Sequence, residues 1–236
     1  MAMKQTGKLR RQAGFSLLEL LMVVLLLTIV VAALFSQIER AQVRYRVEDQ
    51  KLDLTQQERE FIDQFTRDTH QAGFPNVAVL GNQYDLTRKY TAAGVWYLSD
   101  TELRMEGDVD GDGVVKSVVY SYFDGAGWAG PGPNPCPCLR RSVNPKQDNV
   151  APAAQPQGTA FTQVENLVAI NGQPIFTAYN ASGNTVSISP AVTDPNTLKT
   201  IKSVRITLTT QGLGKDTDAQ KSIQVTMTGT ARLVNN

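Results

Sequence analysis

Histidine and cysteine are nearly absent from this sequence. Its 236 residues include one histidine, His70, and two cysteines. A histidine-based metal site or a Ser-His-Asp triad would therefore rest on His70 alone, and its position in the last turn of a predicted helix favours a structural, partly exposed residue. The GxSxG, phosphate-loop and HExxH motifs are also missing. Without a constellation of acid, base and nucleophile, we predict that the protein is not an enzyme.

An excess of charge of either sign is missing as well, since the chain has 23 basic and 22 acidic residues. Residues 1–14 hold four of the basic residues and no acidic one, which leaves 19 basic against 22 acidic residues, a formal charge of −3, in the remainder. The four are Lys4, Lys8, Arg10 and Arg11. No global basic field favours nucleic acid, so none is predicted as a partner. With 42% hydrophobic residues, the chain can bury one sizeable core.

Charged residues are also absent from the apolar run 20–35, and no proline occurs before Pro75. A helix over 15–35 would be about 32 Å long, enough to cross the hydrocarbon core of a bilayer. The basic residues ahead of it, against mixed charges after it, predict a cytoplasmic N-terminus, a single-pass inner-membrane segment and a periplasmic C-terminal head. Glu19 is the exception in this segment, and an intramembrane carboxylate is by default a functional residue with a partner.

The sequence Gly14-Phe15-Ser16-Leu17-Leu18-Glu19, behind a basic leader and ahead of an apolar helix, resembles the processing site of type IV pilins and pseudopilins. A secretory signal peptide is cut after its apolar core, whereas the cut expected here precedes it. The resemblance implies that a prepilin peptidase cleaves after Gly14 and methylates Phe15. It also implies that Glu19 neutralises the N-terminal amine of a neighbouring subunit. Many major pilins have a kinking proline where this chain has Ser36, which argues against a major pilin.

Beyond the apolar run the helical pattern continues. One apolar face is formed by residues at spacings of seven and four, and the polar residues fall mostly elsewhere. The apolar face consists of Val47, Leu54, Phe61, Phe65 and Ala72, and the polar residues are Gln56, Gln57, Glu58, Arg59, Glu60, Asp63, Arg67 and Asp68. Gly73 and Pro75 are stop signals. We therefore predict a single helix from about Phe15 to about Ala72.

After Pro75 the sequence changes to short β-prone runs separated by turn residues. The predicted strands are 77–80, 95–98, 102–105, 114–123, 161–170, 175–179, 185–189, 201–209 and 222–233. An antiparallel sheet packed on the amphipathic helix would cover both apolar faces. The predicted fold class is α+β: a long N-terminal helix, with a transmembrane half and an amphipathic half, packed on an antiparallel β-sheet head in a type IV pilin-like layout.

The predicted organisation has four parts. These are a basic leader (1–14), a transmembrane and filament-core helix (15–36), an amphipathic helix continuing into the head (37–73) and a β-rich head (74–236). Two Pro-rich stretches in the head, 126–137 and 144–158, are expected to be surface loops, either disordered or engaged in contacts.

Three aspartates, Asp108, Asp110 and Asp112, followed by Gly113, match the first half of a calcium loop. An EF-hand would need a bidentate glutamate at the twelfth position, where this chain has Val119. Two interpretations stay open: a polar Asp/Gly turn between strands, and a Ca²⁺ site. Asp124 or Glu106 are the candidates to complete such a site. No other cofactor is expected.

The two cysteines, Cys136 and Cys138, enclose a single proline. In an exported domain they suggest a local disulfide whose stabilising value is small, because the loop that it closes is short. Free thiols and intermolecular pairing are the alternatives. Two thiolates alone would be an incomplete metal site.

Three further stretches, 61–76, 107–122 and 231–235, are similar to PilW-type minor pilins and to J-type pseudopilins. The resemblance implies a minor subunit of a type IV pilus that assembles by helix packing. The expected partners are the prepilin peptidase, other pilin subunits, the inner-membrane assembly platform and the inner membrane, and the assembled filament would lie at the cell surface. A pseudopilin of type II secretion is the first alternative, and a DNA-uptake pilin is the second.

Overall fold

A computed structural model describes residues 16–75, 85–127, 134, 136–168, 173–215 and 222–235. The chain divides into two units, of which the first ends at Arg46 and the second begins at Val47. Helix α1 is Leu17–Gln71. It contains neither glycine nor proline, so nothing in its backbone interrupts the hydrogen-bond ladder. The predicted single helix is confirmed, although Phe15 lies outside the described residues.

Helix α1 ends at the predicted stop signals. Gly73 has a φ of +78°, a left-handed conformation that favours glycine. Its N–H donates to the carbonyl of Glu106 (2.8 Å), and the N–H of Phe74 donates to that of Gln71 (3.0 Å). His70 is exposed in the last turn.

The second unit contains nine described strands in two antiparallel sheets, where the sequence predicted one sheet. The first sheet is the meander β1 (Gly94–Leu98), β2 (Glu102–Gly107), β3 (Lys116–Phe123), β4 (Cys138–Pro145) and β5 (Ala160–Val164). The second sheet has the order β7-β6-β8-β9, with β6 Phe176–Asn180, β7 Thr185–Val186, β8 Ile201–Lys215 and β9 Ser222–Arg232. The α+β, pilin-like layout of a long helix followed by antiparallel sheets is therefore present.

Most of the predicted strands are found, with shifted ends. The predicted run 161–170 is shorter as β5, 185–189 is reduced to β7, and 77–80 lies outside the described residues. Strand β4, the short helix α2 (Pro195–Thr200) and a 3-10 turn (Pro152–Ala154) were not predicted. Strand β4 was not predicted because Arg141 lies on the same face as the apolar Leu139 and Val143. A charged residue on that face interrupts the alternation of apolar and polar residues that is typical of a half-buried strand.

The stretch 144–158, expected to be a surface loop, consists mostly of exposed and half-buried residues. Its first two residues belong to β4, and Gln155 is buried. The Gln155 side chain accepts from the N–H of Gln147 (2.8 Å) and donates to the carbonyls of Gln147 (3.0 Å) and Val150 (2.8 Å). These bonds lie within the segment itself and fix the local conformation of residues 147–155. In the other loop, residues 128–133 and 135 lie outside the described part of the chain.

A buried ion pair holds the segment before β1 in place. Lys146 and Glu106 have fully buried side chains, with Nζ 2.6 Å from Oε2. The same ammonium donates to the carbonyls of Leu86 (2.6 Å) and Thr91 (2.7 Å), so all three of its hydrogens have acceptors. The lysine therefore fastens residues 86–91 to the sheet.

The second half of α1 supplies the centre of the head core. Phe61 and Phe65 are buried and pack edge-on against Tyr120 of β3, with ring centroids 5.7 and 5.5 Å apart. The ring centroid of Phe65 also lies 6.1 Å from that of Phe176 in β6, so one helix residue packs against both sheets. Gly229 of β9 leaves room for Ile62, whose side chain a Cβ at that position would strike.

Asp68 and Glu58, which the sequence pattern assigned to the polar side of α1, both lie on its buried face. Asp68 is fully buried and accepts from the Tyr120 hydroxyl (2.6 Å), Nε of Arg141 (2.7 Å) and Nε2 of Gln64 (2.6 Å). Burial, with the charge of Asp68, raises the pKa of Tyr120 well above its ordinary value, so the phenol stays a donor. The pattern was wrong here because a carboxylate with three donors can replace an apolar residue.

Glu58, the other buried carboxylate, has one hydrogen-bond partner among the described residues. The Thr210 hydroxyl donates to its Oε1 (2.8 Å), while Oε2 is buried without a partner. The residues one turn away on α1 and the neighbours of Thr210 on β8 are uncharged. Burial consequently raises the pKa of Glu58 to about 7, although the hydrogen bonds from Thr210 act to lower it.

We predict that Asp68→Asn lowers the free energy of unfolding by about 3 kcal/mol, because it leaves the guanidinium of Arg141 without its charge partner. Urea unfolding of the full chain in detergent, followed by circular dichroism, measures the change. Asp63→Asn, at an exposed carboxylate of the same helix, is the control and should change stability by less than about 0.5 kcal/mol. Equal stabilities for the two variants would show that the network contributes nothing.

We predict that Glu58→Gln gains stability relative to the wild type as pH rises. Since the folded pKa of Glu58 is raised from 4.5 to about 7, its protonated form stabilises the fold below pH 4.5, and this contribution is lost as pH rises to 7. Glutamine does not titrate. The free energy of unfolding of both proteins is measured at pH 4.5 and at pH 8. Between these two values, the variant should gain up to about 3 kcal/mol of stability relative to the wild type. A pH-independent difference would contradict the raised pKa.

Candidate functional site

The first unit contains the candidate assembly segment. Every residue of α1 from 17 to 42 is exposed. Among the described residues, α1 is the one helix that is long and apolar enough to cross a membrane. An apolar surface of this extent is unstable in water, so it requires lipid or the helices of other subunits.

The two hydroxyl side chains within this segment are satisfied by the helix itself. The Thr28 hydroxyl donates to the carbonyl of Leu25 (2.7 Å), and that of Ser36 donates to the carbonyl of Ala33 (2.8 Å). These hydroxyls therefore carry little cost into an apolar environment. Glu19 differs, since no described side chain pairs with its carboxylate.

Glu19 lies in the first turn of α1, where its own N–H donates to the carbonyl of Ser16 (3.0 Å). The N-terminus of a helix carries partial positive charge, which favours a carboxylate at this position. Within lipid or a helix bundle, however, the charge needs a cationic partner. Gly14 and Phe15, the predicted cleavage and methylation residues, lie outside the described residues.

The aspartate cluster lies in the loop between β2 and β3, in the second unit. Asp108, Asp110 and Asp112 each offer a carboxylate oxygen within 4.8 Å of the others. Lys116, the first residue of β3, places its ammonium against Asp110 and 2.9 Å from Oδ2 of Asp112. The bond from Lys116 lowers the pKa of Asp112 below its ordinary value.

The two residues considered for completing this cluster have other partners. Oε2 of Glu106 accepts from Lys146 and from the N–H of Ala93 (3.0 Å), while its Oε1 is buried without a partner among the described residues. Asp124 follows the opposite end of β3 and accepts from the N–H of Ala126 (2.9 Å). Val119, at the twelfth position, lies in β3 and is buried. Lys116, which the sequence reasoning left out, is the residue that the loop brings to the aspartates. Its signal was its spacing of four from Asp112.

Cys136 and Cys138 form a disulfide in the structure. Cys138 is buried at the start of β4, where it pairs with Phe123 of β3. The bridge thus lies where the chain enters the sheet, and its loop is too short to constrain much of the unfolded chain. The single histidine contacts none of these groups through a described side-chain bond; the carbonyl of His70 accepts from the side chain of Asn235 (3.5 Å).

Residues 9–35 match the prokaryotic N-terminal methylation motif. This stretch includes Gly14, Phe15 and Glu19, and it ends where the apolar run ends. No curated protein and no solved structure matches the chain. The motif supports a type IV pilin-like or pseudopilin protein, and it implies processing by a prepilin peptidase and assembly with other pilins.

Proposed function

We propose that the chain is a minor subunit of a type IV pilus. Residues 1–14 are a leader that prepilin peptidase removes, 15–36 form the membrane and filament-core helix, 37–73 continue this helix into the head, and 74–236 are the head. The observation that carries the proposal is the N-terminal methylation motif, because it coincides with a fully exposed apolar helix. Proteins with this motif are structural, which agrees with the expectation of a non-enzymatic role.

Assembly by this mechanism depends on one charge pair. Cleavage after Gly14 creates an amine on Phe15, four positions before Glu19. In a helix bundle, the Glu19 carboxylate of one subunit would face the amine of its neighbour. Each charge satisfies the other in the low-dielectric interior, whereas removing one of them strands the other. The apolar side chains of the same helix supply the remaining contacts.

The absence of a helix-breaking residue supports a minor subunit rather than a major one. Ser36 stands where many major pilins have a proline, and its hydroxyl bonds back to Ala33 without interrupting α1. Before assembly the helix crosses the inner membrane with the head in the periplasm. After assembly the head belongs to a surface filament, and its loops select the neighbouring subunits.

Processing is tested by intact mass and N-terminal peptide mapping of the protein from cells with and without prepilin peptidase. We expect a mature chain that begins at methylated Phe15 with the peptidase and a chain that retains residues 1–14 without it. The proposal fails if cells with the peptidase retain Met1, or if the cut lies beyond Phe35.

Assembly is tested by Glu19→Val. The variant should be made, processed and inserted, but its amount in sheared filaments should fall by about tenfold or more, which corresponds to a loss of about 1.4 kcal/mol or more. Glu39→Gln, at an exposed carboxylate of the same helix, is the matched control and should assemble normally. Wild-type amounts of the Glu19 variant in filaments would contradict the charge-pair mechanism.

The phenotype of cells that lack the chain distinguishes a type IV pilus from a type II secretion system and from a DNA-uptake filament. Loss of surface pili supports the minor pilin. Loss of protein secretion with intact pili would assign the chain to type II secretion instead, and an isolated loss of DNA uptake would assign it to a competence filament. Either of the last two outcomes overturns the proposal.

A further inference from the structure

The loop between β2 and β3 carries more negative charge than its own residues neutralise. Asp108, Asp110 and Asp112 bring three carboxylates within 4.8 Å of one another. One ammonium, that of Lys116, contacts Asp110 and Asp112. The cluster therefore retains two negative charges, which is the charge that one divalent cation balances.

Asp108 supplies a second and separate observation. This residue is only 6% exposed, unlike Asp110 and Asp112, which lie at the surface. Its Oδ2 accepts from the N–H of Gly113 (3.0 Å), whereas its Oδ1 is buried and has no partner among the described residues. Buried carboxylate oxygens are rarely left unpaired, because desolvation without a compensating bond is costly. Asp108 belongs to the carboxylate cluster, so a cation held by the cluster would supply the partner that this carboxylate lacks.

We propose that residues 108–116 form a calcium site in which Lys116 is an exchangeable counter-ion. Ca²⁺ would bind the carboxylates of Asp108, Asp110 and Asp112, and the Lys116 ammonium would leave for solvent. Calcium suits this loop better than magnesium, because it accepts irregular coordination by carboxylates, backbone carbonyls and water. Val119 cannot supply the bidentate ligand of an EF-hand, so water and main-chain oxygens complete the coordination and the affinity is that of a weak extracellular site.

The loop between β2 and β3 lies against the end of α1, so calcium binding there would affect this junction. The N–H of Asp108 donates to the carbonyl of Phe74 (2.9 Å), just beyond the end of α1. Gly107 forms a bridge with Ala72, and a Cβ at Gly107 would strike the carbonyl of Gln71. The loop is thus tied directly to the end of the helix. A cation that fixes Asp108 would stiffen this junction within the head.

The test is a titration of the full-length protein in detergent with Ca²⁺ after treatment with a chelator, measured by calorimetry and by thermal unfolding. We expect one Ca²⁺ per chain and a higher Tm at about 5 mM Ca²⁺, above the dissociation constants of extracellular calcium modules. Mg²⁺ at the same concentration should bind at least about tenfold more weakly. Asp110→Asn changes an exposed ligand, so the fold is kept, and it should weaken Ca²⁺ binding by about tenfold.

The variant Lys116→Gln tests whether Lys116 is a counter-ion that calcium displaces or a residue with a purely structural role. If the ammonium competes with calcium, its removal should tighten Ca²⁺ binding several-fold, which loss of a purely structural contact would not do. Asp124→Asn, at a carboxylate beyond the other end of β3, is the matched control and should bind like the wild type. The proposal is overturned if the wild type shows neither heat nor a Tm shift at about 5 mM Ca²⁺. It is equally overturned if Asp110→Asn binds as tightly as the wild type.

Discussion

The carboxylate of Asp68 is the contact on which the arrangement of helix and first sheet depends. It accepts from Tyr120 on β3 and Arg141 on β4, so one helix residue fixes the position of two neighbouring strands. Phe61 and Phe65 pack around the same tyrosine ring. Apolar packing alone would tolerate small shifts of the helix along the sheet, whereas directed bonds to a buried charge do not. The ionic contact therefore sets the register, and the aromatic rings pack around it in the core.

The head uses buried charges differently on its two sides. Asp68 and Glu106 each have a cationic partner, and these pairs join segments that are distant in sequence. Among the described residues Glu58 is bonded to Thr210 alone, and its raised pKa makes the contact of the helix with β8 sensitive to pH near neutrality. The contact with the first sheet is instead an ion pair of Asp68 with Arg141. The attachment of the helix to the second sheet therefore responds to protonation of Glu58.

The sequence predicted the elements that rest on local chemistry. The helix and its end follow from the absence of glycine and proline before Gly73, and the N-terminal motif is a continuous run of residues. It did not predict β4, because Arg141 faces the helix only on account of Asp68, 73 residues earlier. For the same reason, Asp68 was assigned to the polar side of the helix. The partnership of Lys116 with the aspartates also needed the fold, because β3 orients that side chain.

The buried residues of α1 show why the helix and the head cannot be treated as separate parts. Residues 47–71 contribute Phe61, Phe65 and Asp68 to a core that also includes Tyr120 and Phe176. A head that began after Gly73 would lose two core phenylalanines and leave Arg141 without its partner, and each of these losses costs several kcal/mol. This total approaches the whole stability of an ordinary domain. The later part of the helix is therefore an integral element of the head, whereas residues 17–42 of the same helix are all exposed.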